Sequence, residues 1–127
     1  VGIPRGLAEI GDRRVVIAFQ PHLFSRTRDF AEGFADGLAA ADVLLLLPVY
    51  GARETQEQYP GVTSGLLADL VRARGTGTEV HQTPDLATAP HTLASLVRPG
   101  DLVVTVGAGD VTTVGPRLLE LLTGMDR

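Results

Sequence analysis

The stretch from Arg14 to Ala41, RVVIAFQPHLFSRTRDFAEGFADGLAAA, decides the fold. Its first six residues, RVVIAF, form an unbroken β-branched and aromatic run, the pattern of a strand buried on both faces in a parallel sheet. Gln20-Pro21-His22 interrupts that run. From Ser25 to Ala41, Phe30, Phe34, Leu38 and Ala41 recur at spacings of three and four, which predicts one amphipathic helix. Ser25, Thr27 and Asp29 near its start supply capping oxygens and negative charge. Arg26 and Arg28 then fall in its first turn, where two cations oppose the helix dipole and invite an anion.

The same alternation continues outward. Asp42 to Val49 (DVLLLLPV) predicts a second buried strand, followed by a polar loop over Tyr50 to Val62 of the length that compact domains reserve for function. Thr63-Ser64 cap a helix running through Leu66, Leu67, Leu70 and Val71 to the glycines Gly75 and Gly77. Glu79 to Gln82 is a short strand. Pro84-Asp85 and Pro90-His91 open helical turns, Leu93, Leu96 and Val97 form their apolar stripe, and Pro99-Gly100 stops them. Asp101 to Val106 (DLVVTV) predicts another strand, Gly107-Ala108-Gly109-Asp110 a turn, and Val111 to Leu122 a closing helix with Val114, Leu118 and Leu121 inward. Strands alternating with helices predict one α/β Rossmann-like three-layer domain over residues 1–127, a mainly parallel open sheet flanked by helices on both faces. In such folds ligands lie beyond the carboxyl ends of the strands. The loops there are 20–28, 49–62 and 107–113.

Composition narrows the chemistry. The 127 residues suit a single core. A formal charge of -4 with interspersed signs argues against nucleic acid as a partner. All 11 basic residues are arginine, so a Walker A loop, a Schiff-base lysine and a lysine general base are excluded. There is no cysteine, which removes thiolate nucleophiles, disulfides and cysteine-ligated metals. The longest apolar run, Val43 to Leu47, is far shorter than a membrane span needs. The start, Val1-Gly2-Ile3-Pro4-Arg5, lacks both an initiator Met and a signal design, so the chain reads as a piece of a longer protein.

Candidate site residues cluster at the predicted ligand edge. Arg26 offers a planar fork for a carboxylate or phosphate, and His22 can donate or titrate near neutral pH. Arg28 is expected instead to pair with Glu32 at i+4. Tyr50, Arg53, Glu54 and Glu57 stand in the long loop, where Glu54 has the chemistry of a ligand, a base or a partner for Arg53. No metal site of this chain's own is expected. Gly107 to Asp110 can cradle an anion with its amides, or serve as a tight turn with Asp110 as helix cap; the spacing to Gly115 fails the dinucleotide fingerprint. His81 and His91 read as structural or surface residues.

Three motifs in order, FQPHLFSRT (Phe19 to Thr27), VYGARE (Val49 to Glu54) and GAGD (Gly107 to Asp110), resemble the C-terminal domain of the Mur ligase family, in its alanine-adding branch, over about residues 12–122. The resemblance implies a cytoplasmic ligase of peptidoglycan precursor synthesis that uses ATP and Mg²⁺ to join L-alanine to UDP-N-acetylmuramate through an acyl phosphate. It implies two further domains, one for the UDP-sugar and one for ATP, both lying outside this chain. ATP and Mg²⁺ would be held mainly by the latter, with no cofactor in this piece and no ligase activity from it alone. Residue by residue, Arg26 matches the amino-acid carboxylate clamp and His22 the catalytic position near the developing oxyanion. Tyr50, Ala52 and Glu54 match the loop motif, and Gly107, Ala108, Gly109 and Asp110 the last one, all as substrate-side residues. Leu23 and Phe24 stand where many relatives read Arg and Tyr. Three other readings compete: a related ligase that recycles a murein tripeptide, a stand-alone Rossmann-like small-molecule binding module, and an interaction module with an exposed apolar patch.

Overall fold

Six consecutive residues, Val15–Gln20, form strand β1, and every one of them is buried. That is the signature of a central strand covered on both faces, as the unbroken apolar run predicts. The computed structural model describes residues 14–107. After β1 come helices α1 (Phe24–Asp29) and α2 (Ala31–Leu38), strand β2 (Val43–Leu46), a 3-10 turn at Gln56–Gln58, helix α3 (Ser64–Ala73), strand β3 (Glu79–Gln82), helix α4 (Ala89–Leu96) and strand β4 (Leu102–Gly107). The four strands make one sheet in the order β3-β2-β1-β4, and every pairing is parallel.

Alternation along β1 and β2 divides the core between the faces. Ile17, Phe19, Leu44 and Leu46 pack with Phe34 and Leu38 of α2 and Leu67 and Val71 of α3. Val16, Ala18, Val43, Leu45 and Leu47 pack with Ala89 and Leu93 of α4. Helices therefore cover both faces. Each fully buried Leu, Ile or Phe in these layers contributes about 1.5–3 kcal/mol.

The expected single helix over Ser25 to Ala41 is two helices. Phe30 joins them with φ −116° and ψ 18°, outside the helical basin, and its side chain is 60% exposed rather than inward. The spacing of three and four suited a continuous helix, but Phe24, Thr27, Ala31, Phe34, Ala35 and Leu38 are the residues buried. Because α1 is one short segment of six residues, Arg26 and Arg28 both fall in its last turn, where cations favour the dipole. The expected side-chain caps are also absent: neither α1 nor α3 has a capping hydrogen bond from its N-cap residue. Ser64 instead ties α3 to the sheet, its hydroxyl donating to the Leu47 carbonyl. Strand β2 is shorter than the apolar run 42–49, and Leu96 and Val97 are only partly buried beside Leu93. The closing helix expected over Val111 to Leu122 lies outside the described residues.

At the amino-terminal edge of the sheet, Arg14 binds Asp101 through Nε at 3.2 Å and Nη2 at 2.8 Å. The same Nη2 donates to the Leu96 carbonyl at 2.6 Å, and the Arg98 amide donates to Asp101 at 2.7 Å. One guanidinium thus ties β1, the end of α4 and the turn before β4 together. Burial opposes ionisation of Asp101, and the hydrogen bonds from Arg14 and the Arg98 amide outweigh it, leaving the carboxyl below its ordinary range.

Candidate functional site

Strand order 3-2-1-4 reverses direction between β1 and β4, and the crevice beyond their carboxyl ends is where such sheets bind ligands. Gln20 and Gly107 are register partners at that point. Gln20 is buried, its Nε2 makes a long 3.4 Å bond to the Pro48 carbonyl, and its Oε1 has no partner among the described residues. Gly107 ends β4; Ala108, Gly109 and Asp110, the rest of that motif, lie outside the described residues.

Beyond β1 the chain does not leave the sheet at once. His22 and Tyr50 form an isolated parallel bridge, with the Tyr50 amide donating to Pro21 and the Leu23 amide to Tyr50, both at 2.8 Å. This backbone pairing draws the first and second motifs together. The His22 and Tyr50 rings stack, centroids 5.8 Å apart and planes 17° from parallel. Two non-glycine residues at this corner sit at positive φ, Leu23 at 66° and Ala52 at 53°, and such strain gathers at functional sites. Gly51 is required by close approach: a Cβ there would stand 2.6 Å from the Glu54 carbonyl oxygen and 2.7 Å from the Phe24 ring.

Helix α1 then starts without a cap of its own, and the second motif supplies one. Glu54 Oε1 accepts the Ser25 amide at 3.0 Å and Oε2 accepts the Ser25 hydroxyl at 2.6 Å. These bonds from Ser25, opposed by desolvation and aided by Phe24 and Tyr59, hold the Glu54 carboxyl below its ordinary range. Thr27, fully buried, donates its hydroxyl to the Leu23 carbonyl at 2.8 Å. Arg26, between them, is exposed and makes no ion pair among the described residues.

The pairing expected between Arg28 and Glu32 does not form. Arg28 binds Asp29 at 3.0 Å and lies over the Tyr59 ring, 5.1 Å from its centroid. Glu32 and Asp36 are both engaged by Arg74. Arg28 is thereby structural, as expected, through other partners. The structure thus brings His22, Arg26, Tyr50, Ala52 and Glu54 to one corner. Arg53 and Glu57 are exposed in the same loop. His81 pairs with Glu79 at 2.7 Å on edge strand β3, and His91 is exposed at the start of α4. Sequence reasoning missed Ser25, Phe24 and Tyr59 as the partners that fasten the loop to α1. The Phe24 and Tyr59 rings stack 6.2 Å apart; nothing in the spacing of residues 24 and 59 announces it.

A cavity of about 250 Å³ opens beside this corner, lined by Phe24, Pro48, Val49, Gln56, Thr63 and Gln82 among others, with no charged side chain. Among the described residues no three His, Cys, Asp or Glu side chains are grouped to hold a metal ion, and no helix is long and apolar enough to cross a membrane.

The family described as Mur ligase, glutamate ligase domain, matches residues 4–109. The UDP-N-acetylmuramate--L-alanine ligase of Streptomyces avermitilis is 47% identical over 117 residues, covering 91% of this chain and 24% of that protein. The protein of the same name from Cutibacterium acnes is 52% identical over 114 residues, 90% of this chain and 23% of its own length. That of Mycobacteroides abscessus is 47% identical over 116 residues, with 91% and 22% covered. The chain spans about a quarter of the length of these curated relatives.

Proposed function

Because the chain belongs to the Mur ligase family through its glutamate ligase domain, we propose that it is the C-terminal, cleft-closing domain of a cytoplasmic ATP-dependent ligase joining L-alanine to UDP-N-acetylmuramate. The names carried by the relatives support that substrate pair. The single structural observation that carries the site is the corner itself: an exposed arginine with no ion-pair partner among the described residues, beside a stacked His–Tyr pair, at the carboxyl edge of a parallel sheet.

Arg26 is the fork that takes the amino acid's carboxylate, since two parallel N–H donors match two carboxylate oxygens. His22, held flat against Tyr50, faces the reacting carbonyl and donates to the oxygen on which negative charge develops as the amine attacks. Tyr50 and Ala52 belong to the substrate side of the loop that Glu54 fastens to α1, and Gly107, Ala108, Gly109 and Asp110 serve as the third substrate-side motif, of which Gly107 ends β4. The other two domains bring the sugar nucleotide and ATP with Mg²⁺. The described residues do not suit ATP and Mg²⁺ by themselves, having no acidic cluster and, in the whole chain, no lysine. Peptidoglycan precursor synthesis is the process such a ligase serves.

The test is phosphate release by the ligase that carries this domain, supplied with UDP-N-acetylmuramate, ATP and Mg²⁺ and each amino acid or peptide in turn. Release that requires L-alanine supports the reading. Release that requires a tripeptide and ignores L-alanine replaces it with the recycling ligase.

A further inference from the structure

Helix α1 has six residues, too few to hold itself in water. Its N-cap position is Leu23, a side chain with no acceptor, at φ 66°. The amide at Ser25 would be left among the unpaired donors of the first turn. Glu54, distant by 29 positions, takes both that amide and the Ser25 hydroxyl with its two carboxylate oxygens. The same loop grips α1 again where Tyr59 stacks on Phe24 and underlies Arg28. At the near end, Gly51 lets the loop backbone close against the Phe24 ring. Arg26 follows Ser25 directly and has no ion pair of its own among the described residues to fix it.

We infer that Glu54 is a positioning residue for Arg26, acting as a long-range helix cap through Ser25 and not by touching substrate. The inference rests on the proposed ligase reading, in which Arg26 holds the amino acid's carboxylate. Both Glu54 oxygens are engaged by Ser25, which orients the carboxylate toward the start of α1. Its work is to set where α1 begins, and with it the base of the Arg26 side chain. Small displacements of a clamp are costly, because binding and reaction both depend on the fork meeting the carboxylate squarely.

The experiment is steady-state kinetics of the ligase that carries this domain, with L-alanine varied at saturating ATP and sugar nucleotide. Glu54→Ala raises the KM for L-alanine about tenfold while the KM for ATP stays within about twofold. Glu54→Gln, which keeps one acceptor oxygen, and Ser25→Ala, which keeps the amide bond, give smaller rises in the same parameter and remain informative if Glu54→Ala folds poorly. In an Arg26→Ala background Glu54→Ala adds less than about a twofold change, because the residue it positions is gone. An equal tenfold effect with and without Arg26, or rises in both KM values together, overturns the inference while leaving the clamp standing. An Arg26→Ala enzyme with an unchanged KM for L-alanine overturns the ligase reading itself, and the inference with it.

Discussion

The His22 imidazole lies on the Tyr50 ring, centroids 5.8 Å apart and planes 17° from parallel, and the two residues are also bridged through their backbones. His22 lies in the loop after β1 and Tyr50 in the loop after β2, so the stack locks together the two loops that carry the candidate site. A stacked aromatic pair contributes about 0.5–1.5 kcal/mol beyond the area it buries. Tyr50→Phe should therefore melt close to the parent, whereas Tyr50→Ala should lose about 1 kcal/mol, read by thermal or urea unfolding. Equal losses in both variants would place the stabilisation in the hydroxyl and not in the stack.

The arginine at the opposite edge makes a prediction about pH. The Asp101 carboxyl lies below its ordinary range when folded, so in the unfolded chain it takes up its proton at higher pH than in the folded one. The stability it contributes is complete above the ordinary carboxylate value of about 3.9 and is lost as pH falls below that toward the folded value. Asp101→Asn keeps the size, but removes the charge that Arg14 binds. At neutral pH it should cost about 2 kcal/mol, the scale of hydrogen bonds to charged groups. The difference between variant and parent should shrink in unfolding curves as the pH falls below the ordinary carboxylate value of about 3.9; a difference that stays constant would contradict this account of the pair.

Strain at Ala52 is relieved by glycine. Ala52 is exposed and holds φ 53°, in the left-handed region that costs a residue with a Cβ about 1 kcal/mol or more. Ala52→Gly loses no buried contact and should raise the melting temperature of the chain by a few degrees, about what 1 kcal/mol gives for a domain near this size. A lowered melting temperature would show that the loop does not hold that conformation.

Ligase activity should be missing from the isolated 127-residue chain. It brings one wall of the proposed site and, among the described residues, no grouping suited to a metal-bound phosphate. Incubation of the chain with UDP-N-acetylmuramate, ATP, Mg²⁺ and L-alanine should release no phosphate above background, and release would contradict the division of labour proposed between domains.

The sheet was legible because its strands report their own burial. RVVIAF and DVLLLL have no polar alternation, and a segment that is apolar on both sides has only one home, between two layers of helices. Even the weak strand Glu79–Gln82 was readable from its position after a helix and a glycine turn. The break at Phe30 was hidden because a three-and-four spacing is equally good for one helix or for two that meet at a bend. The caps failed for a related reason. Serine and threonine near a helix start bond whichever acceptor is closest in space, and here those are Leu47 for Ser64 and Glu54 for Ser25. Glu54 itself was visible as a candidate, but its role as a cap depends on a fold that brings positions 25 and 54 together, which no local pattern encodes. The pairing of Arg28 was misread on the same ground, since the i+4 rule describes a continuous helix and the chain bends between Arg28 and Glu32.

The most direct test of the central claim is the KM for L-alanine of Arg26→Ala in the ligase that carries this domain, measured beside the KM for ATP. The account predicts that the L-alanine value rises at least about tenfold, as losing a charged hydrogen-bonding fork to a carboxylate implies, while the ATP value stays within about twofold. An unchanged L-alanine KM would contradict it and leave Arg26 as a solvated surface residue.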